Sequence, residues 1–354
     1  MLASLIPRNV NLVGLDIGTH SVKMVQVRSG ASKPKLVNMG MAPVPRDAFA
    51  EGRIAKPEII ANIIQQLSSH LKIKQKSVAI SVSGYDVMIK KIEVPTMTEQ
   101  DLEAKMYSEL GQYIPYNVDE VDIDYQVMDI AKDRPNFMEV LLVAAKKESI
   151  ADLNGLLKLV GLDAYVVDVD FFALGNAFEA AYGFEEDSIA LLDMGANKSV
   201  MNISHKGVPI FTRGVSIGGN QITESIKDYF RVSFEEAESA KLGETPETYQ
   251  AQALEDIFVS TAGSWINECK RALDFYYHNY PDNTVKSLYL SGGSCRLPGF
   301  DKVLQEHLDI PVEVFNPITK LQYDSKQFDP AYLEYIGPQM AISLGLALRK
   351  TKEK

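Results

Sequence analysis

Cysteine and tryptophan are scarce in this chain. Its 354 residues include two cysteines, Cys269 and Cys295, and one tryptophan. Two thiols at this spacing form neither a disulfide framework nor a paired metal motif, so we expect reduced thiols in a reducing compartment. The five histidines also lack a metal-ligand spacing. A disulfide-stapled scaffold and a cysteine–histidine metal centre are therefore excluded.

Long apolar runs and an excess of basic residues are also missing. No stretch is long enough to cross a bilayer as a helix, and a formal net charge of −11 argues against a general nucleic-acid binder. Residues 1–13 are too short for a signal peptide, and residues 349–354 form a charged tail without an amphipathic pattern. We therefore expect a cytoplasmic protein that reaches a membrane only through partners.

A glycine-centred hairpin is the first motif. An apolar stretch ends at Asp16, Gly18 follows, and an alternating stretch comes next, which is the pattern of strand, tight turn and strand. Glycine lets the backbone approach a ligand, and the hydroxyls of Thr19 and Ser21 suit phosphate oxygens. Asp16 is placed to hold magnesium directly or through water. A simple turn has the same pattern, so both interpretations stay open.

The same pattern recurs half a chain length later. Residues 189–201 again run from an apolar strand to an acid, Asp193, and a glycine, Gly195, before a second alternating stretch. Such repetition predicts two related halves, and 354 residues suffice for two domains. Two hairpins that face each other from two halves can clamp a nucleotide polyphosphate with its metal.

Three further segments carry the residue types of a nucleotide site. Gly218 and Gly219 precede a helix whose free amides and dipole favour phosphate. Glu238 and Lys241 lie three residues apart on one face of a predicted helix. Residues 292–294 follow a strand and offer flat backbone to a purine or ribose. Each segment also has a simpler interpretation: a loop–helix junction, a solvated ion pair and an ordinary strand–helix connection.

The five motifs, in this order, resemble the nucleotide site of the actin, Hsp70 and sugar-kinase superfamily. The resemblance implies an α/β, actin-like (ribonuclease H-like) fold in two halves, with ATP and Mg²⁺ as cofactors and the metal at Asp16 and Asp193. It implies nucleotide contacts from Gly18, Thr19, His20, Ser21, Lys23, Gly195, Ala196, Asn197, Gly218, Gly219, Glu238, Lys241, Gly292, Gly293 and Ser294.

Three positions leave open whether the predicted site hydrolyses ATP. His20 and Ser294 depart from the residues that are frequent in related proteins at these places. Asp170 is the one catalytic candidate that we can name, and a strand-end acid that faces solvent or caps a helix is an equally good interpretation. We therefore expect ATP binding with slow or absent hydrolysis.

An inserted segment narrows the resemblance. The pattern of residues 86–160 predicts strand, helix, strand, strand and helix, a small α+β subdomain placed as in the cell-division actin FtsA. The sequences QYIPY at 112–116, DEVDIDYQV at 119–127 and LLVAAKK at 141–147 resemble the PilM family of type IV pilus assembly. We expect four parts, which are 1–85 with 161–184 and 337–354 (1A), 86–160 (1C), 185–222 with 285–336 (2A) and 223–284 (2B).

Resemblance to the PilM family implies an ATP-binding scaffold beneath the inner membrane. It implies that the cytoplasmic N-terminal peptide of PilN lies between the insert and the first core, and that the pilus assembly and retraction ATPases are further partners. No nucleic acid is expected, and self-association stays open. Two alternatives remain: a phosphotransferase of the sugar-kinase branch, for which no convincing base is found, and an actin-like filament former.

Overall fold

Strands and helices are mixed along the whole chain, of which the computed structural model describes residues 12–28, 33–130, 134–246 and 248–349. Most of the N-terminal segment and of the charged tail discussed above lies outside these ranges. The strands are β1 (Val13–Ile17), β2 (Ser21–Arg28), β3 (Lys35–Pro43), β4 (Phe49–Ala50), β5 (Arg53–Ile54), β6 (Ser77–Val82), β7 (Val87–Pro95), β8 (Val121–Ile130), β9 (Phe137–Lys146), β10 (Asp163–Val169), β11 (Ser188–Met194), β12 (Ser199–His205), β13 (Val208–Val215), β14 (Val285–Ser291) and β15 (Val312–Val314). The α-helices are α1 (Pro57–His70), α2 (Glu99–Tyr113), α3 (Lys147–Leu159), α4 (Asp170–Tyr182), α5 (Asn220–Phe230), α6 (Phe234–Lys241), α7 (Ala251–Asn279), α8 (Phe300–Leu308), α9 (Pro330–Ile336) and α10 (Ala341–Ala347).

Two five-stranded sheets share one topology. The strand order is β3-β2-β1-β6-β10 in the first sheet and β13-β12-β11-β14-β15 in the second. In each sheet three antiparallel strands are followed by two parallel ones. The prediction of two related halves, each opened by a hairpin, is confirmed.

The two halves meet along helices α4 and α10. Phe178 of α4 and Leu344 of α10 are buried in one apolar cluster with Val25 of the first sheet and Leu191 of the second. Because both sheets contribute to this cluster, the halves share a continuous core on the side away from the hairpin tips.

Helix α10 approaches its neighbours at backbone distance. A Cβ added at Gly345 would lie 1.7 Å from the carbonyl oxygen of Ala173, and one at Gly14 would lie 1.9 Å from that of Ser343. Only glycine fits at such contacts. The two glycines therefore let α10 lie directly against the backbones of α4 and β1.

The insert has its own sheet and core. Its strands have the order β7-β9-β8, and α2 covers one face with the buried side chains of Leu102, Met106 and Leu110. Helix α2 begins after Thr98, whose side chain accepts a hydrogen bond from the Asp101 amide. On the other face of the sheet, Ala145 packs in a cluster that includes residues of both halves.

Helix α3 packs on the first sheet as well as against the insert. Its Leu156 and Leu157 are buried in the core of the first sheet, with Val13 of β1 and Ile64 of α1. The first half therefore takes up the last element of segment 86–160, and the predicted domain boundary there stays a prediction.

Helices α5 to α7 cover the second sheet. Trp265 and Tyr276 of α7 are fully buried against Leu192 of β11 and Met201 of β12. Within the described residues, no helix is both long and apolar enough to cross a membrane.

Candidate functional site

One large cavity lies between the two hairpin tips. It has a volume of about 1280 Å³ and is bordered by the first hairpin, the second hairpin, the start of α5, the end of α6 and the loop after β14. Every site residue predicted from the sequence lines this cavity except Gly218 and Gly292. The fold thus brings together residues that lie more than half a chain length apart in the sequence.

The first hairpin carries an acid and a base in direct contact. Antiparallel pairing of β1 with β2 puts Asp16 directly opposite Lys23, and Lys23 Nζ lies 2.7 Å from Asp16 Oδ2. Burial alone would lower the pKa of the Lys23 ammonium, but Asp16, supported by Asp193 and Asp170, raises it above its ordinary value. Lys23 is therefore charged and already neutralises Asp16.

The second hairpin lacks that base. Pairing of β11 with β12 puts Val200 opposite Asp193, and the hydroxyl of Ser291 donates to Asp193 Oδ1 at 2.8 Å. Burial raises the pKa of the Asp193 carboxyl to about 6, although Ser291 and Lys23 act to lower it. Asp193 is thus an incompletely compensated acid at the edge of the cavity.

A third carboxylate, Asp170, lies at the start of α4. Ser81 Oγ donates to Asp170 Oδ1 at 2.5 Å. Burial raises the pKa of Asp170, and the charge of Lys198 opposes this shift. Since Asp170 lines the cavity, it is placed where an attacking water could be held, but its catalytic role stays a prediction.

The carboxylates fit only one kind of magnesium site. In the part of the chain that the structure describes, no three His, Cys, Asp or Glu residues are grouped to hold a metal by themselves. Magnesium beside a nucleotide keeps several waters and needs only one or two carboxylates in addition to phosphate oxygens. Asp193 suits this role, whereas Asp16 has to exchange its contact with Lys23 first.

The glycine pair before α5 differs from its prediction. The amides of Gly219 and Asn220 donate to the carbonyl oxygens of Gly195 and Ala196, at 3.1 and 2.8 Å. The prediction that this helix start offers free amides is wrong for these two groups, because the tip of the second hairpin caps them. Gly218 approaches that tip so closely that a Cβ would lie 2.4 Å from the Ala196 oxygen. The pair therefore shapes the second hairpin.

Glu238 and Lys241 form an enclosed pair. Lys241 Nζ lies 2.7 Å from Glu238 Oε2, and only 9% and 20% of the two side chains are exposed. The Thr223 hydroxyl donates to the same carboxylate at 2.6 Å, and burial lowers the pKa of Lys241. The interpretation as a solvated surface pair is therefore wrong, and the pair borders the cavity.

His20 reaches towards this pair from the other half. His20 is exposed at the hairpin tip, where it lines the cavity. Partial desolvation lowers the pKa of its imidazole; the charge of Glu238 opposes this shift, and those of Lys241 and Lys23 reinforce it. A neutral imidazole is therefore expected here at neutral pH.

The loop after β14 follows the back of the second hairpin. Gly292 has a φ of +84°, and a Cβ there would lie 2.4 Å from the carbonyl oxygen of Met194. This contact explains why Gly292 does not itself line the cavity. Gly293 and Ser294 do line it, and the Ser294 hydroxyl donates to the Gly195 oxygen at 2.9 Å.

Several cavity residues were not singled out from the sequence. Arg296 stacks its guanidinium on the Tyr335 ring, 3.8 Å from the ring centroid, at the wall near Gly293. Lys198 of the second hairpin tip donates to Ser83 of the first half. The Lys23–Asp16 pair can be predicted from the register of the first hairpin. The contacts of Arg296 with Tyr335 and of Lys198 with Ser83 join segments that are distant in the sequence.

One more contact crosses the cleft. Arg46, in the segment after β3, pairs with Glu224 of α5 and lies 3.8 Å from the centroid of the Phe234 ring. This exposed contact and the Lys198–Ser83 contact both join the two halves around the cavity.

Comparisons with solved structures define the class to which this geometry belongs. The chain is similar to EutJ, an ethanolamine utilization protein from Carboxydothermus hydrogenoformans, at 15% identity and a TM-score of 0.57, over 98% of this chain and 91% of that one. It is also similar to MreB5 of Spiroplasma citri bound to AMPPNP, at 11% identity and a TM-score of 0.51, over 94% of each chain. At such identities the likeness shows the fold, which is actin-like, as the sequence predicts.

The family follows from the sequence. The profile of the family described as type IV pilus assembly protein PilM matches residues 14–351. A solved structure described as a PilM–PilN type IV pilus biogenesis complex has 28% identity and a TM-score of 0.86, over 98% of this chain and 100% of that chain. This chain belongs to the PilM family of type IV pilus assembly proteins.

Proposed function

We propose that this protein is a nucleotide-binding scaffold of the type IV pilus assembly platform. The observation that carries the proposal is the cavity between two matched hairpin tips, in a chain of the PilM family. MreB5 of Spiroplasma citri, which has a similar fold, has been solved with AMPPNP and with ADP. ATP is the nucleotide that we propose here.

The proposed position of ATP follows from the lining residues. The triphosphate lies between the backbones of the two hairpin tips. Lys23, which lies near the carboxylates of Asp16, Asp193 and Asp170, is available to move to a phosphate oxygen. The ribose and base lie between the Glu238–Lys241 pair and the Gly293–Ser294 loop. The flat, ring-stacked guanidinium of Arg296 supports a base on that wall.

Magnesium would bind beside the phosphates and neutralise their charge. Asp193 would hold it, directly or through water, and Asp16 would do so once Lys23 has turned to a phosphate. Asp170 is the residue placed to orient water, and its hydrogen bond from Ser81 holds it in one position. Hydrolysis in this site is proposed to be slow or absent.

PilN is the proposed partner, because the solved PilM–PilN complex matches this chain over nearly its whole length. The cavity continues away from the hairpins into a groove between segment 49–54 of the first half and the start of α3 next to the insert. We call it the insert groove; its walls include Phe49, Arg53, Asp86, Lys146 and Asp152. An extended peptide fits such a groove of apolar and charged walls, and we place the N-terminal cytoplasmic peptide of PilN there.

Other parts of the proposal rest on family membership alone. They are contacts with the pilus assembly and retraction ATPases, a cytoplasmic position at the inner membrane through partners, and self-association. The phosphotransferase alternative is not favoured, since the matching family is one of pilus assembly.

Calorimetric titration of the purified protein tests the nucleotide proposal. ATP is added with and without magnesium, and Lys302→Met, a change at an exposed lysine of α8, serves as a surface control. The expected result is binding that magnesium strengthens in both proteins. Absence of binding to well-folded protein would contradict the nucleotide proposal, and titration with the PilN peptide would then test the scaffold role separately.

A further inference from the structure

Lys198 joins the second hairpin tip to the first half. It directly follows Asn197 at the tip and lines the cavity. Its ammonium crosses the cleft and donates to the hydroxyl of Ser83. It also lies close to Gly84, where an added Cβ would be 3.1 Å from Lys198 Nζ. A residue of the proposed phosphate-binding tip is therefore in direct contact with the segment just after β6.

That segment leads straight into the insert. Gly84 has a φ of +74°, begins a 3-10 turn that spans Gly84–Asp86, and is followed at once by β7. At the other end of the turn, Lys146 Nζ of β9 lies 3.1 Å from Asp86 Oδ1. The Ser149 hydroxyl of α3 donates to the same carboxylate. Both Asp86 and Lys146 are walls of the insert groove.

We call residues 83–86 the hinge turn. One end contacts a lysine beside the proposed phosphate site, and the other end contacts a lysine of the insert groove. Two residues separate the two ends, and a positive φ at Gly84 sets the turn between them. Because the turn is this short, a shift of Ser83 is expected to move Asp86 as well.

The Lys198–Ser83 contact is also weaker than the contact that the ammonium would make with an anionic group. A neutral hydroxyl binds an ammonium less strongly than an anionic phosphate oxygen does. Two anionic partners are in reach of the tip: Asp170, whose ionised form Lys198 already stabilises and which also accepts a hydrogen bond from Ser83, and a phosphate held between the hairpins. Nucleotide therefore competes with Ser83 for Lys198.

We propose that Lys198 is the residue through which bound nucleotide changes the affinity of the insert groove for its peptide. Without nucleotide, Ser83 is held between Lys198 and Asp170, and the hinge turn is fixed. With nucleotide, Lys198 turns to the terminal phosphate and releases the turn. Lys198 is thus a positioning residue, and this inference rests on the function proposed above.

A ligand shifts a conformation only by its differential affinity for the two states. One exchanged charge-assisted contact corresponds to a roughly 5-fold change in peptide affinity, near the lower end of measured couplings between sites. By reciprocity, the peptide changes nucleotide affinity by the same factor. The sign of the change is set by which state of the hinge turn fits the peptide.

The test measures peptide affinity in the two nucleotide states. A synthetic peptide with the N-terminal cytoplasmic sequence of the cognate PilN is titrated into the full chain, without nucleotide and with saturating magnesium AMPPNP. Saturation makes the ratio of the two affinities independent of any loss of nucleotide affinity. The proteins are the wild type, Lys198→Met, Ser83→Ala and the control Lys302→Met, which removes a lysine on the surface of α8.

The expected ratio is about 5 or more in the wild type and in Lys302→Met, and below about 2 in Lys198→Met and Ser83→Ala, because both lack the contact that nucleotide is proposed to break. A full wild-type ratio in both altered proteins would overturn the role of Lys198. So would a wild-type ratio of one with both ligands bound, which would leave the proposed function intact. Failure of the wild type to bind either ligand would instead overturn the proposed function together with this inference.

Discussion

The two hairpins have the same backbone and different charges. In the first, the residue opposite the strand-end acid is Lys23, and the two side chains form an ion pair. In the second, the residue opposite Asp193 is Val200, and a serine hydroxyl is the hydrogen-bond partner of the acid. The repeated strand pattern therefore determines the position of the acid, but it does not determine which group neutralises the charge of that acid.

This difference separates two roles that the sequence treats alike. Asp16 and Asp193 were both predicted as metal ligands. The first hairpin already carries its own cation, whereas the second needs one from outside. We therefore assign the larger part of the proposed magnesium binding to Asp193 and the larger part of phosphate binding to the hairpin of Lys23.

Lys23→Met is expected to have the largest effect, because it leaves the enclosed Asp16 without its cation. Removing one partner of a buried pair lowers the free energy of unfolding by about 3 kcal/mol. Denaturant unfolding measures the change, with Lys302→Met as the control. In the double variant Lys23→Met with Asp16→Asn, part of the loss is regained. A single variant as stable as the control would show that the pair adds nothing to stability.

Asp193→Ala comes next and acts on binding. We expect the affinity for magnesium ATP to fall roughly 100-fold, about 2.7 kcal/mol, while the fold persists because no ion pair is broken. Calorimetry with and without magnesium measures it, and the circular dichroism spectrum reports the fold. Unchanged affinity in the folded variant would remove Asp193 from the proposed metal site.

The third prediction uses pH on the protein without nucleotide. The pKa of Asp193 is raised from 3.8 to about 6 in the folded state, so its ionisation destabilises the fold above that pH and this penalty disappears below about pH 4. Asp193→Asn is therefore more stable than the wild type by about 3 kcal/mol above pH 6, and the two proteins converge towards pH 4. Denaturant unfolding across this range measures the difference, and parallel curves would contradict it.

Ser291→Ala is expected to have the smallest effect. It removes the hydroxyl that donates to Asp193, which raises the pKa of the carboxyl further and costs about 1 kcal/mol of magnesium ATP affinity at neutral pH, or about 5-fold. Calorimetry detects the change, and Ser287→Ala on the same strand is the matched control. Equal affinities in the two variants would mean that the hydroxyl does not prepare Asp193.

The hairpins and the order of the halves could be predicted because their signals are local. An apolar run, an acid and a glycine specify strand and turn within a few residues, and register then puts Asp16 opposite Lys23. The cap of α2 is equally short-range, since Thr98 and Asp101 lie three residues apart.

The contacts that close the site are not local. Lys198 and Ser83 lie 115 residues apart, and Arg46 and Glu224 lie 178 residues apart, so no periodicity in the sequence indicates them. The amides of Gly219 and Asn220 were misjudged for the same reason, since their acceptors lie on another hairpin. Burial of the Glu238–Lys241 pair likewise depends on contact with α5, and the sequence of α6, which carries the pair, does not indicate that contact.

The backbone contacts of α10 also have a consequence for biosynthesis. Strand β1, which carries Asp16, is made long before the helix that packs on it at Gly14, which consists of residues 341–347. Domains fold from the N-terminus as they emerge, yet this first sheet lacks one of its covering helices until residues 341–347 have been made. The second sheet, whose strands span Ser188–Val314, has no such delay in obtaining its strands. A nascent chain therefore completes the packing around the hairpin of Asp16 only after all strands of the second sheet have been made.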